Sequence, residues 1–152
     1  MSEIRELYQE LILDHNRNPR NFKKLPDANH SSEGFNPLCG DHYHIYMNVD
    51  ENSVIEEITF DGSGCAISKS SASLMTSFLK GKTVAEAVHF FDLFHDVVMG
   101  KIDPVSAEDE LGKLSVFAGV REFPARVKCA SLAWHTMKAA LVEKNKPVVS
   151  TE

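Results

Sequence analysis

The feature that most constrains this chain is a change of hydrophobic period near its middle. Tyr43, Ile45, Met47 and Val49 alternate with His44, Tyr46 and Asn48, the period-two pattern of a strand with one buried face. Asp50-Glu51-Asn52-Ser53 supplies a turn, and Val54, Ile58 and Phe60 continue the pattern, so 42–60 reads as a β-hairpin. Asp61-Gly62-Ser63-Gly64 is expected to end the second strand. Beyond it the period becomes helical. Ile67, Leu74, Met75, Phe78 and Leu79 form the inward stripe of a helix over about 66–80, with Gly81 where a left-handed cap belongs. Thr83 followed by Glu86 is a capping-box pattern opening a helix that ends near Gly100. Residues 101–123 are less regular, with Ser106/Asp109 as a cap candidate. Pro124 suits the first position of a last helix whose inward stripe is Val127, Ala130, Trp134, Met137 and Leu141.

At the other end, Ile4, Leu7, Tyr8, Leu11 and Ile12 follow a helical stripe that Ser2 caps and Asn18-Pro19 closes. Residues 16–38 read as a long loop and 144–152 as a frayed tail. A sheet followed by several helices is an α+β arrangement. The expectation is a small antiparallel sheet of about three strands packed against several helices, in one domain over residues 1–152.

Charge and composition narrow the function classes. Sixteen basic against twenty-two acidic residues leave a net charge of −6, a poor basis for gripping nucleic-acid phosphates. No apolar run approaches the ~18 residues of a membrane span, and the acidic N-terminus is unlike a secretory signal. Three cysteines, an odd number with no close pair, argue against a disulfide framework and for a reducing cytoplasm.

Those cysteines carry the chemistry. Cys39-Gly40-Asp41 lies just before the first strand, and the strand's period extended backwards puts 39, 41, 43 and 45 on one face. A carboxylate on a core-facing row must be paired, hydrogen-bonded or metal-bound. Cys65 follows a Gly-Ser-Gly turn and opens a helix; Cys129 lies in the second turn of the last helix, with Arg126 one turn before it. Helix starts and neighbouring arginines favour the thiolate form of cysteine. Three thiolates and a carboxylate match the four ligands of a tetrahedral Zn²⁺ site. The intervals between them are long and no Cys-x-x-Cys accompanies them, so the alternative stays open that these are buried free thiols.

Other candidates weigh less. His42 and His44 fall on the non-core side of the strand and read as sheet surface. The remaining histidines, including His15, His89, His95 and His135, lie in scattered contexts. No thiol–histidine pair marks a hydrolase, and the Asp61–Gly64 segment lacks the Gly-Lys-Ser/Thr end of a phosphate loop.

Three motifs taken together carry a family resemblance. They are Asn36-Pro37-Leu38-Cys39-Gly40-Asp41; Gly62-Ser63-Gly64-Cys65-Ala66-Ile67-Ser68 with Ser71-Ala72-Ser73; and Phe123-Pro124-Ala125-Arg126-Val127-Lys128-Cys129-Ala130. In this order, over nearly the whole chain from Leu7-Tyr8 to Trp134, they resemble the SufU/IscU family of iron–sulfur cluster assembly proteins. Two features resemble the SufU branch. Lys128 stands where the scaffold branch has a histidine before the last cysteine, and the Cys65–Cys129 interval is lengthened around 95–120, a branch insertion.

The resemblance implies an IscU-like α+β fold and zinc held by Cys39, Asp41, Cys65 and Cys129. It implies an activity too: persulfide sulfur is taken from a SufS-type cysteine desulfurase and passed to a downstream iron–sulfur scaffold complex. It also implies that a histidine of the desulfurase replaces one cysteine on zinc. Cys39, on a loop rather than at a helix start, is the candidate for that cysteine and for the sulfur acceptor. Asp41 then tunes the site's charge, and Arg126 is a candidate for partner docking or anion steering. Two rivals remain: a scaffold building a [2Fe–2S] cluster, or transiently holding iron, on the same ligands, and a zinc-stapled interaction module without turnover.

Overall fold

The computed structural model describes residues 2–142 and 148–150. The chain opens with helix α1 (Ser2–Arg17), followed by strands β1 (His30–Asn36), β2 (Asp41–Val49) and β3 (Ile55–Ser63). Helices α2 (Ala66–Leu79), α3 (Val84–Val98) and α4 (Pro104–Leu111) come next, then 3₁₀ turns over Gly112–Glu122, the long helix α5 (Pro124–Val142) and a short strand β4 (Val148–Ser150). The sheet order is β3-β2-β1-β4; the first three strands are antiparallel, and β4 runs parallel to β1. Among the described residues no helix is long and apolar enough to cross a membrane.

The α+β reading holds, with three departures. Within the expected loop, 30–36 is a strand. Its inward positions are Ser32, Gly34 and Asn36, so the apolar alternation that identifies a strand is missing. The cause is close packing: a Cβ on Gly34 would collide with the Thr136 hydroxyl of α5, so the helix leaves room only for small inward residues. Secondly, β3 runs on to Ser63 rather than ending at Asp61. Gly62, at φ 129°, continues the ladder opposite Tyr43, and a side chain there would strike the His42 carbonyl. Thirdly, residues 148–150 of the expected frayed tail form β4. The rest of that tail, 144–147 and 151–152, lies outside the described residues, as do the side chains of Ile4, Leu7 and Tyr8.

Helix starts follow local chemistry. Thr83 and Glu86 form the expected reciprocal capping box of α3, whereas α4 is capped by Asp103, not Ser106 or Asp109, with Pro104 opening the helix. The core lies between the sheet and the helices, where Tyr43, Ile45 and Met47 of β2 meet α5. Trp134 is fully buried and stacks on Phe94 at 4.6 Å. The α5 helix is buried well beyond its predicted stripe: Leu132, Ala133, Thr136 and Ala139 are also inside, which is the pattern of a helix enclosed on several sides. The segment 104–122 packs its buried Leu111, Leu114 and Phe117 toward α3 and α5.

Candidate metal centre

Three elements deliver their ends to one point. The β1–β2 turn carries Cys39, the first residue of β2 is Asp41, the N-cap of α2 is Cys65, and the second turn of α5 holds Cys129. Cys39 is exposed, Cys65 intermediate and Cys129 buried, and all three are free thiols. The sulfurs of Cys39 and Cys129 lie 3.1 Å apart. Each of these two sulfurs and a carboxylate oxygen of Asp41 lie within 4.8 Å of one another. Cys65 stands beside that trio: its backbone N–H donates to Asp41 Oδ1 at 2.9 Å, and its thiol is among the groups acting on Cys129.

Local structure explains the placement. Asp41 follows the inward parity of β2 and is 1% exposed, so the sequence argument for a buried carboxylate is met. Its second oxygen accepts from Asn36 Nδ2 at 3.2 Å, and the same amide donates to Cys129 Sγ at 3.4 Å. The Cys65 sulfur accepts from the Ser68 backbone N–H at 3.4 Å, as an N-cap side chain does. The Ser68 hydroxyl donates to the Cys65 carbonyl and lies 3.1 Å from the Tyr43 hydroxyl. Asn36, Tyr43 and Ser68 therefore form an outer ring around the cluster. Sequence reasoning placed Tyr43 in the core and assigned no part to the other two. The readable signal was their position: Asn36 sits three residues before Cys39, and Ser68 three after Cys65. Gly64 closes the ring, since a Cβ there would come within 2.5 Å of Asp41 Oδ1 and 2.6 Å of both the Ser68 and Tyr43 hydroxyls.

The electrostatics correct one expectation. Arg126 was expected to favour a thiolate at Cys129. Its guanidinium instead lies exposed over the Phe123 ring at 4.6 Å. Burial above all, followed by the hydrogen bond to Cys39 and the nearby Cys65 and Asp41, pushes the Cys129 thiol well above its ordinary range. Tyr43 is pushed up as well, chiefly by burial, so its hydroxyl stays protonated.

These residues fit a thiophilic divalent cation. Asp41 is buried with hydrogen bonds from the Cys65 N–H and the Asn36 amide, and among the described residues no Lys, Arg or His balances its charge. The buried Asn36 Oδ1 also has no hydrogen-bond partner. A dication would reverse the penalty on Cys129, because a coordinated thiol is deprotonated outright.

Comparison with known proteins bears on the fold and the family. Residues 7–130 match the NifU-like N terminal domain family. The chain is 38% identical to the zinc-dependent sulfurtransferase SufU of Bacillus subtilis, covering 91% of each chain. It is equally 38% identical to the iron–sulfur cluster assembly scaffold protein IscU of Streptococcus pyogenes, over 93% of this chain and 86% of that one. A crystal structure titled as a putative scaffold protein for the SUF system, from Fervidobacterium islandicum, superposes with a TM-score of 0.80 at 34% identity. That match covers 87% of this chain and 94% of the other. Fold, motif order and these likenesses agree: the chain belongs to the NifU-like N-terminal domain family, among its SufU and IscU proteins.

Proposed function

We propose that this protein serves iron–sulfur cluster assembly as a zinc-dependent sulfur acceptor, taking persulfide sulfur from a SufS-type cysteine desulfurase and passing it to a downstream scaffold complex. The observation that carries the reading is the gradient of access across one thiol cluster: Cys39 exposed on a turn, Cys65 intermediate at a helix cap, Cys129 buried in a helix. Cys39, Asp41, Cys65 and Cys129 would hold the zinc, which when bound keeps thiols ionised without redox chemistry of its own. Three thiolates and a carboxylate carry four negative charges against the ion's two.

Cys39 is the acceptor. Its thiolate attacks the terminal sulfur of the desulfurase persulfide; the S–S bond in the desulfurase breaks, leaving that cysteine as a thiolate, and a new S–S bond forms on Cys39. No net oxidation occurs, and the rate depends on thiolate fraction and access. Only Cys39 combines a place in the cluster with exposure on a turn that can move without unwinding a helix. Asp41, fixed by the Cys65 N–H and the Asn36 amide, tunes the charge and position of the cluster. The chain on either side of the cluster also carries exposed Leu38 and Phe123, 67% and 47% accessible, beside the exposed Arg126. These suit a partner contact with an apolar centre and a cationic rim.

The test is desulfurase turnover with zinc-loaded and zinc-stripped protein. Stimulation by the zinc-loaded form alone, lost in Cys39→Ala, supports the reading. The scaffold reading rests on the equal likeness to a protein named IscU scaffold. Anaerobic reconstitution yielding a stable, transferable [2Fe–2S] cluster, without zinc-dependent stimulation, would favour it instead.

A further inference from the structure

The outer face of the sheet holds a second convergence of ligand atoms that the thiol cluster does not use. The β1/β2/β3 register sets Glu33, His44 and Asp61 in one row across three strands. His42 lies two residues from His44, on the same face. One ring nitrogen from each histidine and a Glu33 carboxylate oxygen lie within 4.8 Å of one another. Both histidines direct Nε2 at the same oxygen, Glu33 Oε2, His42 by a hydrogen bond and His44 at 3.3 Å.

We propose that His42, His44 and Glu33 form a metal site for a divalent first-row transition ion, separate from the thiol cluster. A simple ion pair with Glu33 needs one imidazole. Here two converge on one carboxylate oxygen, with ring centroids 5.3 Å apart, so three ligand atoms from two strands meet at one point. Two imidazoles and one carboxylate are the donor set of the facial triad, with positions left open for water.

The surroundings hold the ligands in place. His42 stacks on Phe35 at 4.2 Å with an interplanar angle of 12°. His44 lies near-parallel to Tyr46 at 15°. The far nitrogen of His44, Nδ1, faces Asp61 Oδ1 at 3.6 Å, and Asp61 in turn accepts from the Tyr46 hydroxyl at 3.1 Å. A carboxylate behind a ligating histidine is the usual outer partner of a metal-bound imidazole, because it selects the tautomer and orients the ring. Tyr46 is pushed up to about 12, mainly by burial and the bond to Asp61, so it remains a donor. Because side chains alternate along β2, Asp41 points into the core cluster while His42 points outward. The two sites therefore lie on opposite faces of one strand. The second site does not depend on the sulfur-acceptor reading.

The experiment titrates the full chain with Zn²⁺ in competition with a chromophoric chelator. Long-range ¹H–¹⁵N spectra follow the imidazoles at the same time. Expected are two bound equivalents, with the His42 and His44 nitrogens shifting as one of them binds while His89 and His95 stay put. His42→Gln and His44→Gln should each abolish that equivalent and leave the other. Asp61→Asn should weaken it about tenfold, as loss of an outer partner does. If the His42 and His44 signals stay unmoved up to two equivalents, or both variants bind zinc like the wild type, the cluster is a hydrogen-bonded surface network and the proposal fails. The spectra of unsubstituted protein decide the matter even if a variant misfolds.

Discussion

Replacing Gly64 with alanine should damage fold and site together, and the structure gives the size of the effect. Gly64 has no left-handed backbone angle to defend; the constraint is space. A Cβ would meet Asp41 Oδ1 at 2.5 Å and the Ser68 and Tyr43 hydroxyls at 2.6 Å, all inside van der Waals distance. Overpacking of this kind costs about 1–3 kcal/mol. Displacing Asp41 also strains its bond from the Cys65 N–H, a charge-assisted bond of about 1.5–3 kcal/mol. A loss of roughly 2–5 kcal/mol is a large share of the ~5–15 kcal/mol of a typical domain. It lowers the melting temperature by roughly 5–15 °C for a chain of this size. Zinc affinity should fall about tenfold, because the moved carboxylate is at the cluster. Urea unfolding followed by circular dichroism, with chelator competition for zinc, measures both. Gly119→Ala, where a Cβ meets nothing within 4 Å, is the control and should stay within about 0.5 kcal/mol of wild type. Wild-type stability and zinc affinity in Gly64→Ala would refute the packing of Asp41, Ser68 and Tyr43 around this glycine.

Other expected outcomes follow from single contacts. Cys39→Ala should abolish sulfur acceptance while retaining part of the zinc; normal stimulation of the desulfurase by this variant would exclude Cys39 as acceptor. Asp41→Ala should still bind zinc through three thiolates, but more weakly, and unchanged affinity in a chelator competition would remove Asp41 from the ligand set. His15 is buried, bonds to the Ser73 hydroxyl at 2.7 Å, and is held below its ordinary 6.5, first by burial. Its stabilising contribution is therefore fully present above about pH 6.5 and is lost as the pH falls below that, where the unfolded chain takes up the proton. Urea unfolding between pH 7.5 and 5 should show that loss, and His15→Gln should flatten it. Thr83→Ala removes half of a capping box and should cost about 1 kcal/mol, seen as a lowered melting temperature with unchanged zinc binding.

How far the fold was legible follows from where side chains carry the signal. The hairpin, α2, α3 and α5 announce themselves because each has a recurring apolar stripe or a cap that local chemistry dictates, as at Thr83 and Pro124. Strand β1 was hidden because its inward face is Ser32, Gly34 and Asn36: close approach of α5 replaces bulk with small residues, so the period-two signal vanishes. Asp103 was missed as a cap because Ser106 and Asp109 offer the same side-chain chemistry further along; the local signal for Asp103 is Pro104, which suits the first helical position directly after it.

At the cluster, parity along β2 foretold the buried Asp41. That Cys39 and Cys129, ninety residues apart, meet at 3.1 Å is a fact of tertiary packing, and without the family resemblance the spacing reads more simply as buried free thiols. The environment of Cys129 could not be read from its neighbour Arg126, because burial outweighs a cation that turns away to Phe123. The histidine pair on the opposite face was read as surface, since a strand's parity reports exposure and not the cross-strand register that brings Glu33 and Asp61 beside it.

In the proposed function, Cys39, Asp41, Cys65 and Cys129 close around one metal ion. X-ray absorption at the zinc edge, on protein loaded with a single equivalent, reads that shell directly. The expected result is three sulfurs at about 2.3 Å and one oxygen at about 2.0 Å. A shell of nitrogen and oxygen alone, or one sulfur fewer, would contradict it.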